Sequence, residues 1–461
     1  MDGTSGAAPS KAKAMVCRKI RFYPNAEQSR LFKRCLGTTR FFFNRANAFV
    51  KQRTLEIKTA RLTELKQLAE RGCTHVYKAG GRKGEQCCSS IQDGCDFFCS
   101  KHKDGPLGIK YDCMTLPSLR KAVLTSDKDL TADEAWQKEV PYDTRQLAIK
   151  ALLDCYESQF ALKKAGLAPK VFVGFRSRKA PRQTFSVSSK ALDLEKMQIF
   201  KRRLKGKKAR LRLRKRDLVK VPENCGDLTV LWTRPGKWYL CLPCEVKAKE
   251  MPIYDSPKYK SVFLDPGVRT FQTFYSPDGA CGKLGKGYYD NVVLPLQQRV
   301  DLLTSVAAKA KSRTKRNLRR RCCVLRTKAR NVVDDLHRKT CHFLCGAFDA
   351  VFIPPFETQR MAARAGRKIN SAATRGMLSL AHYRFRKRLE DYASRTGTAV
   401  YVVGEGMTTK TCGGCGHLND VGGSARYSCA ACGLVADRDY AAARNICLRT
   451  ATQCARLVAD Q

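Results

Sequence analysis

The sequence has no run of about eighteen consecutive apolar residues, and it has few acidic residues beside its basic ones. The first absence argues against a membrane-spanning helix, and no secretory signal peptide is recognisable either. Acidic residues number 41 against 88 lysines and arginines, which gives a formal net charge of +47. This charge exceeds what solubility requires, so it predicts a polyanionic partner rather than a membrane or a small-molecule substrate.

What the chain does have is enough apolar residues to build several cores. At 461 residues and 43% hydrophobic, it is long enough for about two to four domains. Residues 1–14 are small and polar, so we expect them to be disordered. The 23 cysteines, in a basic chain without a recognisable secretion signal, predict an intracellular protein with reduced thiols and metal sites.

The N-terminal part begins with a strand and continues as helices. Residues 15–25 alternate basic and apolar positions up to Pro24, which predicts a short strand. Asn25 is suited to cap the helix that follows, and the region 26–166 is predicted to be mostly helical.

This helical region is interrupted by residues 73–102, which are rich in glycine and cysteine. The segment ends in a Cys-x-x-His pair, a spacing typical of zinc ligands. The predicted structural zinc site therefore has three cysteines and one histidine: Cys73, Cys87, Cys99 and His102. Alternative ligands in the same segment are Cys88, Cys95 and His75.

Residues 167–254 have the pattern of a small β-barrel. Short alternating runs predict strands, and the very basic segment 201–216 is predicted to form a hairpin among them. That segment suits either a solvated face or a grip on a phosphate backbone, and it resembles a nuclear localisation signal.

Residues 255–461 alternate strands and helices, which indicates a mixed α/β sheet covered on both faces. A hairpin carries Asp265 at its turn, one continuous helix is expected over 375–397, and the next buried strand is expected to end at Glu405. Asp439 stands at the start of the last helix. Three carboxylates at one rim of a sheet repel one another unless a cation neutralises them, and carboxylates favour Mg²⁺ or Mn²⁺.

Each of these acids has a simpler interpretation. Asp265 precedes Pro-Gly and suits a turn, Asp437 and Asp439 suit the positive end of a helix, and Glu405 suits a solvated strand end. Their occurrence beside a metal motif in a basic chain favours a metal-dependent nuclease site.

The metal motif is a pair of Cys-x-x-Cys clips within 408–434. Its ligands are Cys412, Cys415, Cys429 and Cys432. Two such clips separated by thirteen residues, each with a glycine behind it, predict a closed structural zinc ribbon that takes no part in the chemistry.

Several motifs together resemble the TnpB nucleases encoded by transposons, and particularly their eukaryotic and viral relatives, the Fanzor proteins. The matching segments are TTKTCGGCG, the second CxxCG, DRDYAAARNI, FLDPGVRT and RFYPNAEQSRLFKRCLGTTRFFFN. The resemblance implies an RNase H-like (RuvC) nuclease domain at 255–461 with the inserted ribbon. It also implies a barrel (WED) at 15–25 and 167–254, interrupted by a helical recognition (REC) domain at 26–166.

The resemblance further implies that Asp265 and Asp439 are the first and third catalytic acids, with Asp437 as a supporting neighbour. The second acid departs from the TnpB pattern, because Pro354 and Pro355 occupy the usual strand end. Glu357 and Glu405 are the two possible replacements. We favour Glu405, since strands lie about 4.8 Å apart and a neighbouring strand end reaches the same rim, and since Fanzor proteins have such a relocated glutamate.

The implied activity is RNA-guided cleavage of double-stranded DNA, with an ωRNA as guide, beside a short adjacent motif, through two-metal hydrolysis. The implied partners are a guide RNA and target DNA. The oligomeric state is open, with a monomeric ribonucleoprotein as the expectation, and the basic runs together with the resemblance predict a nuclear location. Lys410 and Arg444 are candidates for guiding the nucleic-acid strand. The alternatives are a catalytically inactive descendant that still binds RNA and DNA, and an RNase H-like transposase or resolvase that reads DNA directly.

Overall fold

The computed structural model describes residues 14–69, 115–125, 130–222, 225–234, 236–246, 259–362 and 369–459. The predicted disordered segment up to residue 13 and the predicted zinc site at Cys73, Cys87, Cys99 and His102 lie outside the described residues. The chain divides into two compact units, Cys17–Cys244 and Met1–Val16 with Glu245–Gln461.

The sheet of the first unit is built from short strands. They are β1 (Ala14–Tyr23), β2 (Arg182–Val187), β3 (Leu192–Asp193), β4 (Gln198–Ile199), β5 (Arg212–Leu213), β6 (Leu228–Thr233) and β7 (Lys237–Val246). Five of them pair in the order β2-β6-β7-β1-β5, and β3 pairs with β4 alone. Because β2 and β5 end this order among the described residues, the closed barrel stays a prediction.

Helices form the rest of the first unit. They are α1 (Ala26–Ala69), α2 (Leu116–Val123), α3 (Tyr142–Lys164) and α4 (Lys215–Leu218), with a 3-10 helix at Ala132–Glu139. Asn25 caps α1 as predicted, since its Oδ1 accepts from the backbone N–H of Gln28 at 2.8 Å. Phe32 and Cys35 on α1 are buried against the sheet, whereas Phe42 and Phe43 are buried against α2 and α3.

The basic segment 201–216 does not form the predicted hairpin. It contains a turn, a 3-10 helix at Gly206–Ala209 and the two-residue strand β5, which pairs with Phe22 and Tyr23 of β1. Leu204, Ala209 and Leu211 are buried at irregular intervals. This spacing does not alternate, so the backbone cannot run as one strand, and the basic side chains between these positions are mostly exposed.

The second unit contains a mixed sheet. Its strands are β8 (Tyr259–Pro266), β9 (Gln272–Tyr275), β10 (Cys281–Leu284), β11 (Phe348–Ile353) and β12 (Ala399–Val402). They lie in the order β10-β9-β8-β11-β12. The first three are antiparallel neighbours, while β11 runs parallel to both β8 and β12. This arrangement confirms the predicted mixed α/β sheet.

Helices follow the strands in the second unit. They are α5 (Leu294–Lys309), α6 (Ser312–Ala347), α7 (Thr358–Ala362), α8 (Ser371–Leu380), α9 (His382–Thr396) and α10 (Arg438–Ala459), with a π-helix at Tyr289–Val293. Buried side chains of α6 and α9, including Leu344, Phe385 and Leu389, pack on Val262 and Val351 of the sheet. None of the helices in the described ranges has the length and hydropathy needed to cross a membrane.

Two predictions about 375–405 were wrong. The single helix is divided into α8 and α9 at Ala381, which has a left-handed φ of 53° and allows His382 to pack into the core. The last strand of the sheet ends at Val402 rather than at Glu405, and it is half exposed rather than buried. It is exposed because β12 is the edge of the sheet order, with β11 as its one neighbour.

Candidate active site

A cavity of about 280 Å³ collects the three acids that the sequence singled out. Asp265, Glu405 and Asp439 all line it. They are supplied by strand β8, by the loop after β12 and by the first turn of α10. Residues separated by up to 174 positions in the chain therefore meet at the rim of one sheet.

Asp265 is held rigidly because it belongs to the β8–β9 ladder, where it pairs with Thr273. Its side chain is half-buried, and burial together with the charges of Asp439 and Glu405 raises the pKa of Asp265 to about 7. The nearby Arg438 opposes this rise in the pKa. The cavity thus disfavours a third negative charge when no cation is present.

Asp437 and Asp439 have different environments although they are two residues apart. Asp437 caps α10, since its Oδ1 accepts from the backbone N–H groups of Asp439 and Tyr440 at 3.1 and 3.2 Å. Its Oδ2 binds Nζ of Lys283 at 2.6 Å. Asp439 instead lines the cavity, with Arg438 at 3.3 Å from its Oδ1. Asp437 thus contacts the backbone of α10 and Lys283 and does not line the cavity, and its supporting role stays a prediction.

Glu405 lies three residues beyond β12, in a loop whose backbone is well bonded. Its carbonyl accepts from the hydroxyl of Thr408 at 2.9 Å. Burial raises the pKa of the Glu405 carboxyl, and the charge of Glu357 raises that pKa further. Glu357 is exposed and is not among the residues that line the cavity, although its neighbour Phe356 is.

Helix α10 fixes the Glu405 loop through two side chains that sequence inspection missed. The buried amide of Asn445 donates to the carbonyls of Thr408 and Thr411 at 2.8 and 2.7 Å. Arg449 donates to the carbonyl of Gly406 at 2.9 Å. Because Asp439 is on the same helix, α10 sets the position of Glu405 relative to Asp439. The one hint in the sequence is Asn445 itself, which lies in the motif DRDYAAARNI on the same helix as Asp439.

The four-cysteine site is a separate, closed cluster. The Sγ atoms of Cys412, Cys415, Cys429 and Cys432 all lie within 4.8 Å of one another, and they are the one such group in the described parts of the chain. Cys412 and Cys432 are 3.6 Å apart, as are Cys415 and Cys429. A zinc ion with Zn–S bonds of about 2.3 Å requires sulfur atoms about 3.8 Å apart, so the set fits zinc.

Hydrogen bonds from backbone N–H groups lower the pKa of Cys412 and Cys429, whereas contacts with the other three thiols raise the pKa of Cys432 to about 12. The backbone N–H of Cys432 is the main cause that lowers the pKa of Cys429 to about 6. Strands β13 (Arg426–Ser428) and β14 (Val435–Asp437) pair around the second clip and lead directly into α10. The ribbon therefore ends where the helix with Asp439 begins.

The two candidates for guiding nucleic acid do not line the acidic cavity. Nζ of Lys410 binds Asp420 at 3.0 Å within the ribbon, and Arg444 donates to the carbonyl of Gly413 at 2.9 Å. Their predicted role stays a prediction. The basic side chains that do line the cavity are Arg269 and Arg438, which sequence inspection did not select.

Two family profiles match the chain. The TNB domain of Cas12f1-like proteins matches residues 382–446, which include Glu405, the four cysteines and Asp439. A helix-turn-helix domain of the IS605 OrfB type matches residues 17–53, where the structure has β1 and the first part of α1.

Curated relatives come from giant viruses. The TnpB-like proteins L79 and L770 of Acanthamoeba polyphaga mimivirus are each 33% identical over 199 residues, which is 42% of this chain and 38% of each relative. The chain thus aligns with less than half the length of these relatives. These matches in sequence support the resemblance of the chain to TnpB-like proteins.

Solved structures similar to the chain include a Cas12f1–sgRNA–target DNA complex and a CRISPR-Cas12f ternary complex. Both are 14% identical and cover 94% of this chain and 98% of the other, with TM-scores of 0.31 and 0.33. TM-scores this low do not show that the elements of this chain are arranged as in those structures.

Proposed function

We propose that this protein is an RNA-guided DNA endonuclease of the Fanzor type, whose acidic cavity hydrolyses phosphodiester bonds. The observation that carries the proposal is the meeting of Asp265, Glu405 and Asp439 in one cavity of a chain with a net charge of +47. The order β10-β9-β8-β11-β12, with three antiparallel strands followed by two parallel ones, supports an RNase H-like (RuvC) assignment.

The cavity fits divalent cations. Its carboxylate oxygens are the ligands that Mg²⁺ and Mn²⁺ prefer. Burial and mutual repulsion raise the pKa of Asp265 to about 7, and a bound cation would relieve both effects. When bound, such ions supply positive charge at the phosphate and activate water as a nucleophile. Asp265, Glu405 and Asp439 would hold them.

The remaining groups of the cavity position these acids and the DNA strand. Arg438 bonds to Asp439 and so restricts the orientation of its carboxylate. Asn445 holds the loop of Glu405, as described above. Arg269 is exposed at the cavity, where its guanidinium is suited to bind a phosphate of the substrate strand.

The other proposals concern partners and location. A guide RNA would supply sequence specificity through base pairing while the protein binds the backbone. The WED-like and REC-like roles of the first unit and a nuclear location are proposed on the family resemblance. A second zinc site is proposed on the ligand spacing of Cys73, Cys87, Cys99 and His102, and we also propose a monomeric ribonucleoprotein. The exposed basic segment 201–216 supports both nucleic-acid binding and nuclear import.

The decisive experiment is to express the chain with its native flanking DNA, purify it through high salt, and sequence the bound RNA. One discrete RNA with a constant scaffold and a variable end, which then directs Mg²⁺-dependent cleavage, is the expected result. Cleavage by RNA-free protein would favour a transposase or resolvase instead. RNA and DNA binding without any cleavage would favour an inactive descendant.

The assignment of the second acid is tested in the same assay. Glu405→Gln should abolish cleavage and Glu357→Gln should not, because Glu405 lines the cavity and Glu357 is exposed outside its lining. The opposite pattern would transfer the role to Glu357.

A further inference from the structure

A second cavity of about 370 Å³ lies within the second unit and shares no lining residue with the acidic cavity. It is enclosed by α5, α6, α8 and the start of α9. Its volume is in the range of pockets that bind small ligands or parts of larger ones, about 300–1,000 Å³. Nothing in the proposed cleavage reaction uses it.

Arginines are the main charged residues in the walls of this cavity. The lining residues include Arg326, Arg330, Arg375 and Arg384, against a single carboxylate, Asp301. Arg375 binds Asp301 at 2.7 Å. The cavity therefore has a strong excess of positive charge that its own carboxylate does not neutralise.

Two of the arginines have no acidic partner in the described part of the chain. Arg326 and Arg330 lie one turn apart on α6, both are exposed, and neither forms an ion pair with a described residue. Like charges at this spacing repel each other along a helix. Arg384, by contrast, binds Asp334 at 2.8 Å. An anion between the helices would compensate Arg326 and Arg330.

The floor of the cavity is suited to strengthen such an interaction. Val293, Val300 and Val333 are buried beneath it. At one side, the amide of Gln297 donates to the hydroxyl of Ser379 at 2.6 Å, so this polar edge is rigid. Charge-assisted hydrogen bonds formed above an apolar floor are stronger than those formed in open water.

We propose that this cavity binds phosphate groups, with Arg326 and Arg330 as the principal ligands and Arg375 at its rim. The guanidinium group offers paired N–H donors that match the oxygens of a phosphate. The cavity of about 370 Å³ has room for two or more adjacent phosphates, either of a nucleic-acid backbone or of a small polyphosphate. This site goes beyond the proposed cleavage and does not depend on it.

The test uses the full chain freed of nucleic acid, with inorganic tripolyphosphate and a labelled single-stranded RNA of random sequence as probes. The cavity variant is Arg326→Gln/Arg330→Gln. The matched control is Arg316→Gln/Arg320→Gln, which removes two exposed arginines at the same spacing on α6 but outside the cavity. Calorimetry measures tripolyphosphate binding, and the dependence of RNA affinity on salt measures the contacts made with the backbone.

The cavity variant should bind tripolyphosphate at least about tenfold more weakly than the control variant, since charged hydrogen bonds are lost. If the site serves nucleic acid, the salt dependence of RNA binding should also fall in the cavity variant by about one to two phosphate contacts. If it serves a small polyphosphate, RNA binding should match the control. Equal losses in both variants, or no saturable tripolyphosphate site in the wild type, would overturn the proposal.

Discussion

The four-cysteine site and the acidic cavity are two candidate metal centres within one unit, and they are built in opposite ways. The cysteines lie within 21 consecutive residues and bring their sulfur atoms within 4.8 Å of one another. The acids come from a strand end, a loop and a helix that are far apart in the chain, and they share a cavity although their oxygen atoms do not all lie within 4.8 Å of one another. A local loop therefore makes a closed structural site, whereas the sheet topology makes an open site with room for substrate.

The largest expected effect is on the open site. Asp265→Asn and Asp439→Asn should each lower Mg²⁺-dependent DNA cleavage by roughly a thousandfold, equivalent to about 4 kcal/mol, because each removes a charged ligand for the cations. Rates of cleavage of a guide-matched duplex measure this. Asp420→Asn is the control, since that carboxylate is exposed and pairs with Lys410 in the ribbon.

An Asp265→Asn variant that cuts as fast as the wild type would remove the acidic cavity from the mechanism. The same result for Asp439→Asn would leave Asp265 and Glu405 as the remaining acids, and the proposed set of three would be wrong.

The closed site should act on cleavage only through structure. Replacing Cys429 with serine should remove stoichiometric zinc and lower cleavage by roughly a hundredfold, because the ribbon leads from the Glu405 loop into α10. Zinc content and cleavage are measured on the same preparation. Cys447→Ser, a change on α10 outside the cluster, should leave both unchanged. Full cleavage by a zinc-free ribbon would show that the two sites are independent.

The link between the two sites is Asn445, and its loss should have an intermediate effect. Asn445→Ala removes both hydrogen bonds to the Glu405 loop, so cleavage should fall by about 10–100-fold. The Mg²⁺ concentration for half-maximal cleavage should rise, while the zinc content should stay at one ion per ribbon.

Thr450→Ala is the matched control for Asn445→Ala. Thr450 is also buried on α10, but its hydroxyl bonds to the carbonyl of Ile446 within the helix. If both variants lost the same stability and neither changed the Mg²⁺ requirement, Asn445 would only stabilise the fold and would not position Glu405.

The contrast also explains which parts of the molecule were predictable. Cys412 and Cys429 begin clips whose spacing alone encodes a metal site, so the ribbon could be recognised without a fold. Asp265 and Asp439 were found because the sequence places them at a predicted strand end and at the start of a predicted helix, and because both match acids in the motifs of the family that the chain resembles. The end of β12 was predicted wrongly because the apolar residues of this edge strand continue into the loop that follows it. Only the order of the strands in the sheet shows that β12 is an edge strand and ends early.

Asn445, Arg438 and the arginine-lined cavity could not be found from the sequence for a related reason. Asn445 acts through Thr408 and Thr411, and the arginine-lined cavity is formed by helices that are distant in the chain. Arg438 was missed because only the fold shows that it lines the acidic cavity. The break at Ala381 was equally hidden, since it results from the packing of His382 against Phe271 and Phe356, with ring centroids 5.2 and 4.5 Å away. Helix propensity alone favours continuing the helix there.

The smallest expected effect is on the pH dependence of stability, and it follows from the crowding of charge in the open site. Asp265 has a pKa of about 7 in the metal-free fold and about 3.8 when unfolded. Between these values the folded state holds a proton that the unfolded state has lost. The free energy of unfolding of the metal-free protein should therefore decrease as the pH rises from about 4 to 7, and level off above.

Asp265→Asn imitates the protonated carboxyl, so it should reduce that decrease and raise the Tm of the metal-free protein at pH 8 by a few degrees. Adding Mg²⁺ should raise the Tm of the wild type at pH 8 more than that of the variant, because the cation offsets the repulsion between three ionised acids in the wild type. Thermal melts with and without Mg²⁺ distinguish these cases. A variant less stable than the wild type at pH 8 would mean that the ionised Asp265 is already compensated by Arg438, and that the open site, unlike the closed one, is stable without its metal.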